Sequence, residues 1–190
     1  MLSPEIERFC TEWLAKAALY NDDNVEGCYD KFFTLFVVFN RLYAETTFEL
    51  ARQGRITISR NRSLPDRKGA TEYTLDFIGK TTFDHLFVEC LAEPVDTLAR
   101  LIEQESFYIK LASPNGDPQR EKDLLLLSEL RSSGKTRALA VLDLVYSIRC
   151  NLFHGHKAFQ PIQVTLLKPT MTVLYQVIRA LQQAHTAGGA

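Results

Sequence analysis

Helical spacing of apolar residues is the main pattern at the start of the chain. Six side chains follow the alternating three-and-one spacing of a single buried helix face: Ile6, Phe9, Cys10, Trp13, Leu14 and Ala17. Ser3 and Pro4 precede this face as an N-cap and a first helical residue. The pattern therefore predicts an amphipathic helix early in the chain.

The next apolar segment, residues 31–39, is hydrophobic on almost every side of a helix. Its composition fits a central helix or a buried strand equally well. Because good helix formers continue from it as far as Gly54, we favour one long central helix. The phenylalanines of this segment are expected to fill the core.

Two later segments depart from the helical pattern. Residues 54–80 contain scattered glycine, proline, serine and threonine, so we predict an irregular basic excursion with at most a short helix or strand. Residues 107–111 alternate like another short strand, but no partner strand is obvious. One isolated strand would not change the fold class.

Helical patterns account for most of the second half of the chain. Helices are predicted over residues 82–91, 94–104, 120–131, 136–154 and roughly 161–185. Pro94 is expected in the first turn of its helix, whereas Pro169 is expected to kink the last helix or to lie near its start. The pattern predicts an all-α fold, with one helical domain over residues 1–185 and a frayed tail over residues 186–190.

Composition narrows the class of protein further. The 190 residues are 46% hydrophobic and 24% charged, which fits one globular domain. No apolar run is long enough to span a membrane and residues 1–20 lack a secretion signal, so we expect a cytoplasmic protein without a membrane partner. Four widely spaced cysteines with no CxxC pair indicate reduced, buried thiols.

Positive charge is concentrated in one stretch, although the net charge is only −1. Residues 52–69 set a single acid, Asp66, against six bases: Arg52, Arg55, Arg60, Arg62, Arg67 and Lys68. Such a patch attracts a polyanion through phosphate neutralisation and counterion release. A solvated loop that merely contains arginines fits equally well, because no aromatic residue for base stacking lies within the patch.

Residues 149–155 contain more side chains suited to catalysis or ligand binding than any other stretch of the sequence. Arg149 is a permanent cation, Asn151 carries an amide and His154 titrates near neutral pH. On the same predicted helix, five apolar residues should face the core: Ala138, Val141, Val145, Ile148 and Leu152. A polar stripe lies beside them and is a plausible active face: Asp143, Ser147, Asn151 and His154.

Arg149 and His154 do not share one side of a straight helix, because five residues at helical pitch separate them by about 140°. Two arrangements would bring them together. Gly155 could end the helix with a left-handed cap and reorient His154. Alternatively, two copies of the helix could meet across a twofold axis, which requires a homodimer.

The spacing Arg149-x4-His154, with Asn151, Phe153 and Gly155 at a predicted helix end, resembles the Arg-x4-6-His motif of HEPN domains. These are compact α-helical proteins of prokaryotic toxin and antiviral systems. The resemblance covers residues 136–185, and the N-terminal helices agree with the family in type. It implies a HEPN-like helical bundle and a metal-independent endoribonuclease without a cofactor, with its site formed across a homodimer. The implied partners are RNA and a cognate antitoxin or another defence-system protein.

The residue chemistry is compatible with that implied activity. His154 could take a proton from a ribose 2′-hydroxyl or donate one to a leaving 5′-oxygen. Arg149 could hold the scissile phosphate, and Asn151 could orient the phosphate or His154. Attack by the 2′-hydroxyl would leave a 2′,3′-cyclic phosphate and restrict the substrate to RNA. The six bases of residues 52–68 would then contact RNA away from the chemistry.

Several other interpretations of the motif remain open. Arg149 could simply pair with an acid such as Asp143, and His154 could only cap the helix end. A non-catalytic nucleotide-binding, RNA-binding or protein-interaction module is the main alternative function. Cys150, His154 and His156 lack an apparent fourth ligand, so we predict no metal site. His185 lies near the tail and is not expected to have a role.

Overall fold

A computed structural model describes residues 2–58, 65–112, 115–153 and 160–187 of the chain. Within these ranges the chain is mostly helical, and the only paired strands form one short antiparallel hairpin. This confirms the all-α class predicted from the periodicity.

The first two helices match the apolar pattern closely. Helix α1 (Pro4–Ala18) begins after Ser3, whose side chain accepts a hydrogen bond from the Ile6 amide. Helix α2 (Val25–Arg52) begins after Asn24, whose side-chain oxygen accepts from the Gly27 amide. The long central helix is therefore confirmed and starts six residues before the apolar segment at residue 31. It packs against α1 on one side and against the last helix on another.

The predicted irregular excursion is wrong for residues 66–78, which are helical. Helix α3 (Asp66–Lys68) runs into a π-helical turn (Gly69–Tyr73) and then into α4 (Thr74–Ile78). Ala70, Leu75 and Ile78 are buried against the rest of the bundle. Packing against α2 therefore outweighs the low helix propensity of this segment. Residues 59–64, which include Arg60 and Arg62, lie outside the described part of the chain.

The predicted break before Pro94 is also absent. Helix α5 (Lys80–Leu86) continues through a π-helical turn (Phe87–Leu91) into α6 (Ala92–Glu103). Pro94 lies in the first turn of α6, directly after the π turn has changed the hydrogen-bonding register. The chain therefore forms one interrupted helix where the sequence predicts two.

Of the short strand predicted over residues 107–111, only Leu111 is in a strand, and that strand does have a partner. Strand β1 (Leu111–Ala112) pairs antiparallel with β2 (Asp117–Pro118). The buried carboxylate of Asp123, in helix α7 (Arg120–Leu130), accepts hydrogen bonds from the amides of Ile109 and Lys110. This interaction fixes the chain before β1 against α7.

Two long helices, α8 and α9, complete the described chain. Helix α8 (Gly134–Phe153) begins at Gly134, whose φ of 61° is a left-handed conformation that suits glycine. Helix α9 (Gln163–Ala187) contains Pro169 in its interior and continues through residues 186–187, which the sequence predicts to be frayed. No helix among the described residues is long and apolar enough to cross a membrane.

The core matches the predicted apolar faces. All five predicted core residues of α8 are buried: Ala138, Val141, Val145, Ile148 and Leu152. Phe32, Phe39 and Phe83 are among the largest fully buried side chains, which confirms that phenylalanines fill the core. Cys10 and Cys28 are buried thiols, whereas Cys90 and Cys150 are partly exposed.

Candidate active site at the end of α8

Arg149 lies on the side of α8 that faces α2 and α3. Its guanidinium carbon is 4.3 Å from the centre of the Phe153 ring and 5.4 Å from the centre of the Phe36 ring. Its closest acid is Asp66, with 4.0 Å between Nη1 and Oδ2. The Nε atom is buried and has no hydrogen-bond partner among the described residues. Arg149 therefore has unused donor capacity in a partly enclosed position, with 24% of its side chain exposed.

Asp66 is held by hydroxyl donors from two other helices. Tyr43 of α2 donates to Oδ1, and Tyr146 of α8 donates to Oδ2 at 3.0 Å. Burial raises the pKa of both tyrosines, and their hydrogen bonds to the carboxylate raise it further. Both phenols therefore remain protonated donors at neutral pH. Together with Arg149 they surround one carboxylate with three donor groups.

The described part of the predicted polar stripe of α8 faces a cleft of about 460 Å³, which Tyr146 also lines. Asp143, Ser147 and Asn151 all line this cleft. Lys110 donates to Asp143 and, at 2.9 Å, to the Ser147 hydroxyl. Arg67 donates to the other Asp143 oxygen through Nε at 2.9 Å. Two bases thus neutralise Asp143, which is not the partner of Arg149.

Asn151 lies on the cleft side and is nearly buried. Its Nδ2 donates to the Ile109 carbonyl at 2.8 Å, which ties α8 to the chain before β1. Arg149 and Asn151 are two residues apart and therefore point in directions about 160° apart around the helix. The structure does not bring these two predicted catalytic residues together.

The described bases of residues 52–68 do not form one free positive surface. Arg52 pairs with Glu49, Arg55 donates to the Asp76 carbonyl at 3.1 Å, and Lys68 lies 4.0 Å from Glu72. Arg67 pairs with Asp143 of α8. The end of the segment, Asp66–Lys68, therefore lies against the α8 site and not away from it as predicted.

His154, the third predicted catalytic residue, lies outside the described residues. It follows Phe153, the last residue of α8. The Phe153 residue is 56% exposed, and the edge of its ring meets Phe33 at 4.7 Å between ring centres. An aromatic surface is thus available beside the Arg149 guanidinium.

Sequence reasoning missed most of the groups around Arg149. Asp66 had one signal, since it is the single acid in a basic stretch. Tyr146 lies three residues before Arg149 and hence on a neighbouring face of α8. Tyr43 and Lys110 had no sequence signal, because their positions depend on how distant helices pack. Within the described ranges, no group of three histidine, cysteine, aspartate or glutamate side chains is placed to hold a metal ion.

Comparison with protein-family models, with curated proteins and with solved structures finds no match for this chain.

Proposed function

We propose that this protein is a metal-independent endoribonuclease with a HEPN-like site at the end of α8. The observation that carries the proposal is the partly enclosed guanidinium of Arg149, whose buried Nε has no hydrogen-bond partner among the described residues and whose nearest acid there is 4.0 Å away. A guanidinium in such a position has donors available for a ligand. Its planar fork matches two oxygens of a phosphate.

The surroundings of Arg149 favour a nucleic-acid phosphate over an isolated anion. Phe153 contacts the guanidinium and is 56% exposed, so it offers an aromatic surface to an unstacked base. The enclosed position also strengthens the interaction of Arg149 with charge that develops on the phosphate during reaction. These two groups would hold one nucleotide by its base and its phosphate.

The proposed reaction needs only groups of the RNA and of the protein. The ribose 2′-oxygen attacks the adjacent phosphorus while the bond to the 5′-oxygen breaks. His154 takes the 2′-hydroxyl proton, and the imidazolium so formed gives that proton to the leaving 5′-oxygen. Arg149 stabilises the added negative charge on the phosphate. The products are a 2′,3′-cyclic phosphate and a 5′-hydroxyl end.

The position of Asn151 changes its proposed role. Its amide donates to the Ile109 carbonyl on the opposite side of α8 from Arg149. In this proposal Asn151 supports the helix that presents Arg149, and it does not contact the phosphate. Its substitution would then act through the stability of α8.

The resemblance to HEPN domains also suggests the oligomeric state and the biological role that we propose. A homodimer would bring Arg149 of one subunit towards His154 of the other, which a single straight helix cannot do. The resemblance favours a cytoplasmic toxin or antiviral effector, controlled by a cognate antitoxin or another defence-system protein.

Cleavage of RNA by the purified protein in EDTA tests the activity. Replacement of Arg149 by alanine is expected to lower the cleavage rate by about 10²–10³-fold, because it removes the phosphate donor. His154→Ala is expected to lower it by about 10²–10⁴-fold, because it removes the proton-transfer group. Arg149→Lys should give an intermediate rate, since it keeps the charge but loses the forked donors.

Two exposed residues provide matched controls, Arg100→Ala on α6 and His85→Ala on α5. Both should cleave like the wild type. The products should carry a 2′,3′-cyclic phosphate, and a fully 2′-deoxy substrate should remain intact. Equal cleavage by the wild type, Arg149→Ala and His154→Ala would identify a contaminating nuclease. RNA binding without cleavage would instead support the binding-module alternative.

A further inference from the structure

The carboxylate of Asp66 occupies a cradle of donors that belongs to other elements. Tyr43 and Tyr146 each donate to one of its oxygens, and Arg149 lies 4.0 Å away. Tyr43 is buried, with 3% of its surface exposed, so its hydroxyl requires an acceptor inside the protein. Two hydroxyl donors and one cation therefore surround the anion that lies at this point.

The same donors suit a phosphate group. A phosphate presents several acceptor oxygens around one centre, whereas a carboxylate presents two. The two hydroxyls and the Arg149 fork could each meet a different phosphate oxygen. The Nη1 atom of Arg149 lies 4.0 Å from the Asp66 carboxylate, which is beyond hydrogen-bond distance, and a larger anion could reach it. A phosphate would thus satisfy a donor that Asp66 leaves unused.

Asp66 is more exposed than the two tyrosines that donate to it. It is the first residue of the helical segment 66–78, and 48% of its side chain is exposed. Tyr43 is buried within the long helix α2, and Tyr146 is half-buried within α8. Opening of the first turn of the segment, α3, would remove the carboxylate and leave the cradle intact.

We propose that Tyr43, Tyr146 and Arg149 form a binding site for a phosphate group of RNA, and that Asp66 fills this site in the ligand-free chain. The choice of RNA as ligand rests on the proposed nuclease function. Asp66 then competes with the substrate, so that the basal affinity for RNA is held down. Any signal that withdraws α3 would raise it.

Replacement of Asp66 by a neutral residue tests this site, because it removes the competing negative charge. The probe is a 2′-O-methyl oligoribonucleotide, which cannot be cleaved because it lacks a free 2′-hydroxyl, and binding is measured by fluorescence anisotropy. Asp66→Asn is expected to bind about tenfold more tightly than the wild type, because the resident anion is gone. The gain should disappear in Asp66→Asn/Arg149→Ala. Inorganic phosphate should compete with the oligonucleotide in Asp66→Asn.

A matched control separates the site from a general change in charge. Glu72→Gln removes one exposed acid from the neighbouring π turn and alters the net charge by the same amount. It should change the affinity by less than about twofold. Thermal unfolding establishes that each variant is folded. If Asp66→Asn is unstable, Asp66→Ser provides a second neutral variant whose hydroxyl can accept from Tyr43.

The outcomes distinguish this inference from the nuclease proposal. Affinity that is equal or lower in Asp66→Asn, or a gain that persists without Arg149, overturns the phosphate site even if the wild type cleaves RNA. Cleavage that also falls in Asp66→Asn would show that Asp66 positions Arg149. An Arg149-dependent gain in a protein that never cleaves RNA would keep the phosphate site and reject the nuclease.

Discussion

Arg149 and Asp66 show how a residue can be identified from sequence while its partner is not. The interpretation that paired Arg149 with Asp143 placed both on one helix. Six residues at helical pitch, however, separate them by about 120° around the axis, so they face different surroundings. The structure pairs Asp143 with Arg67 and Lys110, and brings Asp66 to Arg149 from α3. The correct acid comes from a segment that the pattern left without structure.

His185 is a second residue whose role depends on packing. Its place near the end of the chain gave no reason to expect burial, yet it is only 3% exposed. Its Nε2 lies 3.0 Å from the Thr46 hydroxyl, and its ring lies 4.4 Å from the centre of the Phe77 ring. The residue thus joins α9 to α2 and α4.

Burial lowers the pKa of His185 to about 4, below its ordinary value of 6.5. The unfolded chain therefore binds a proton between these two pH values while the folded chain does not. The free energy of unfolding should fall as pH falls from 6.5 towards 4, by roughly 2 kcal/mol between pH 7 and pH 4.5. Urea denaturation at a series of pH values measures this loss.

His185→Gln should remove most of that pH dependence, because glutamine stays neutral and its amide can still bond to Thr46. The exposed His85→Gln provides the comparison, and it should leave the pH dependence unchanged. A His185→Gln variant that loses stability over the same pH range as the wild type would mean that His185 is not the titrating group.

At the scale of elements, helices with a regular apolar face could be predicted, and those without one could not. The described parts of α1, α2, α7, α8 and α9 match the predicted helices closely. The errors concern residues 66–78 and the join at Pro94, where two π turns interrupt the 3.6-residue period. Long-range packing decides the structure of these segments, and a local pattern cannot contain that information.

Some residues of the candidate site could likewise be predicted from the sequence, and others could not. The polar stripe of α8 could be predicted from spacing alone, and Asp143, Ser147 and Asn151 do line a cleft. The donors around Asp66 could not, because Tyr43 and Tyr146 come from helices that meet only in the folded chain. Sequence reasoning therefore located α8 correctly but assigned Arg149 and Asn151 to one function, although they face different sides.

The Asp123 carboxylate links α7 to the chain before β1 and should be important for stability. It is fully buried, and its oxygens accept from the Ile109 amide at 3.2 Å and the Lys110 amide at 2.8 Å. Asp123→Ala would leave both buried amides without an acceptor. We expect a loss of about 2 kcal/mol or more in the free energy of unfolding, measured in urea.

Two further substitutions test whether the lost hydrogen bonds cause this destabilisation. Asp123→Asn keeps one carbonyl oxygen as an acceptor and should cost less than Asp123→Ala. Glu121→Ala removes an exposed acid from the same first turn of α7 and should have little effect. Equal stability of Asp123→Ala and the wild type would show that the clamp between α7 and the chain before β1 is unimportant.

At the scale of the whole molecule, charge does not favour a large nucleic-acid surface. The net charge is −1, and the described bases of the basic segment are each paired with an acid or a carbonyl. Affinity for RNA would then come from local groups at the end of α8 and not from long-range attraction. Recognition of RNA would therefore depend on Arg149, Phe153 and the residues next to them.

The proposed dimer leads to a prediction about the assembled molecule. If each site takes Arg149 from one subunit and His154 from the other, a dimer that combines Arg149→Ala with His154→Ala contains one intact site and one doubly defective site. Random reassociation of equal amounts makes about half of the dimers mixed, so cleavage should return to about a quarter of the wild-type rate. Each variant alone should remain inactive.

Reassociation of Arg149→Ala with an Arg149→Ala/His154→Ala double variant provides the control and should restore nothing, since neither chain supplies the arginine. Absence of activity in a mixture shown to contain mixed dimers would mean that the two groups act within one subunit, or that both copies of each are needed at every site.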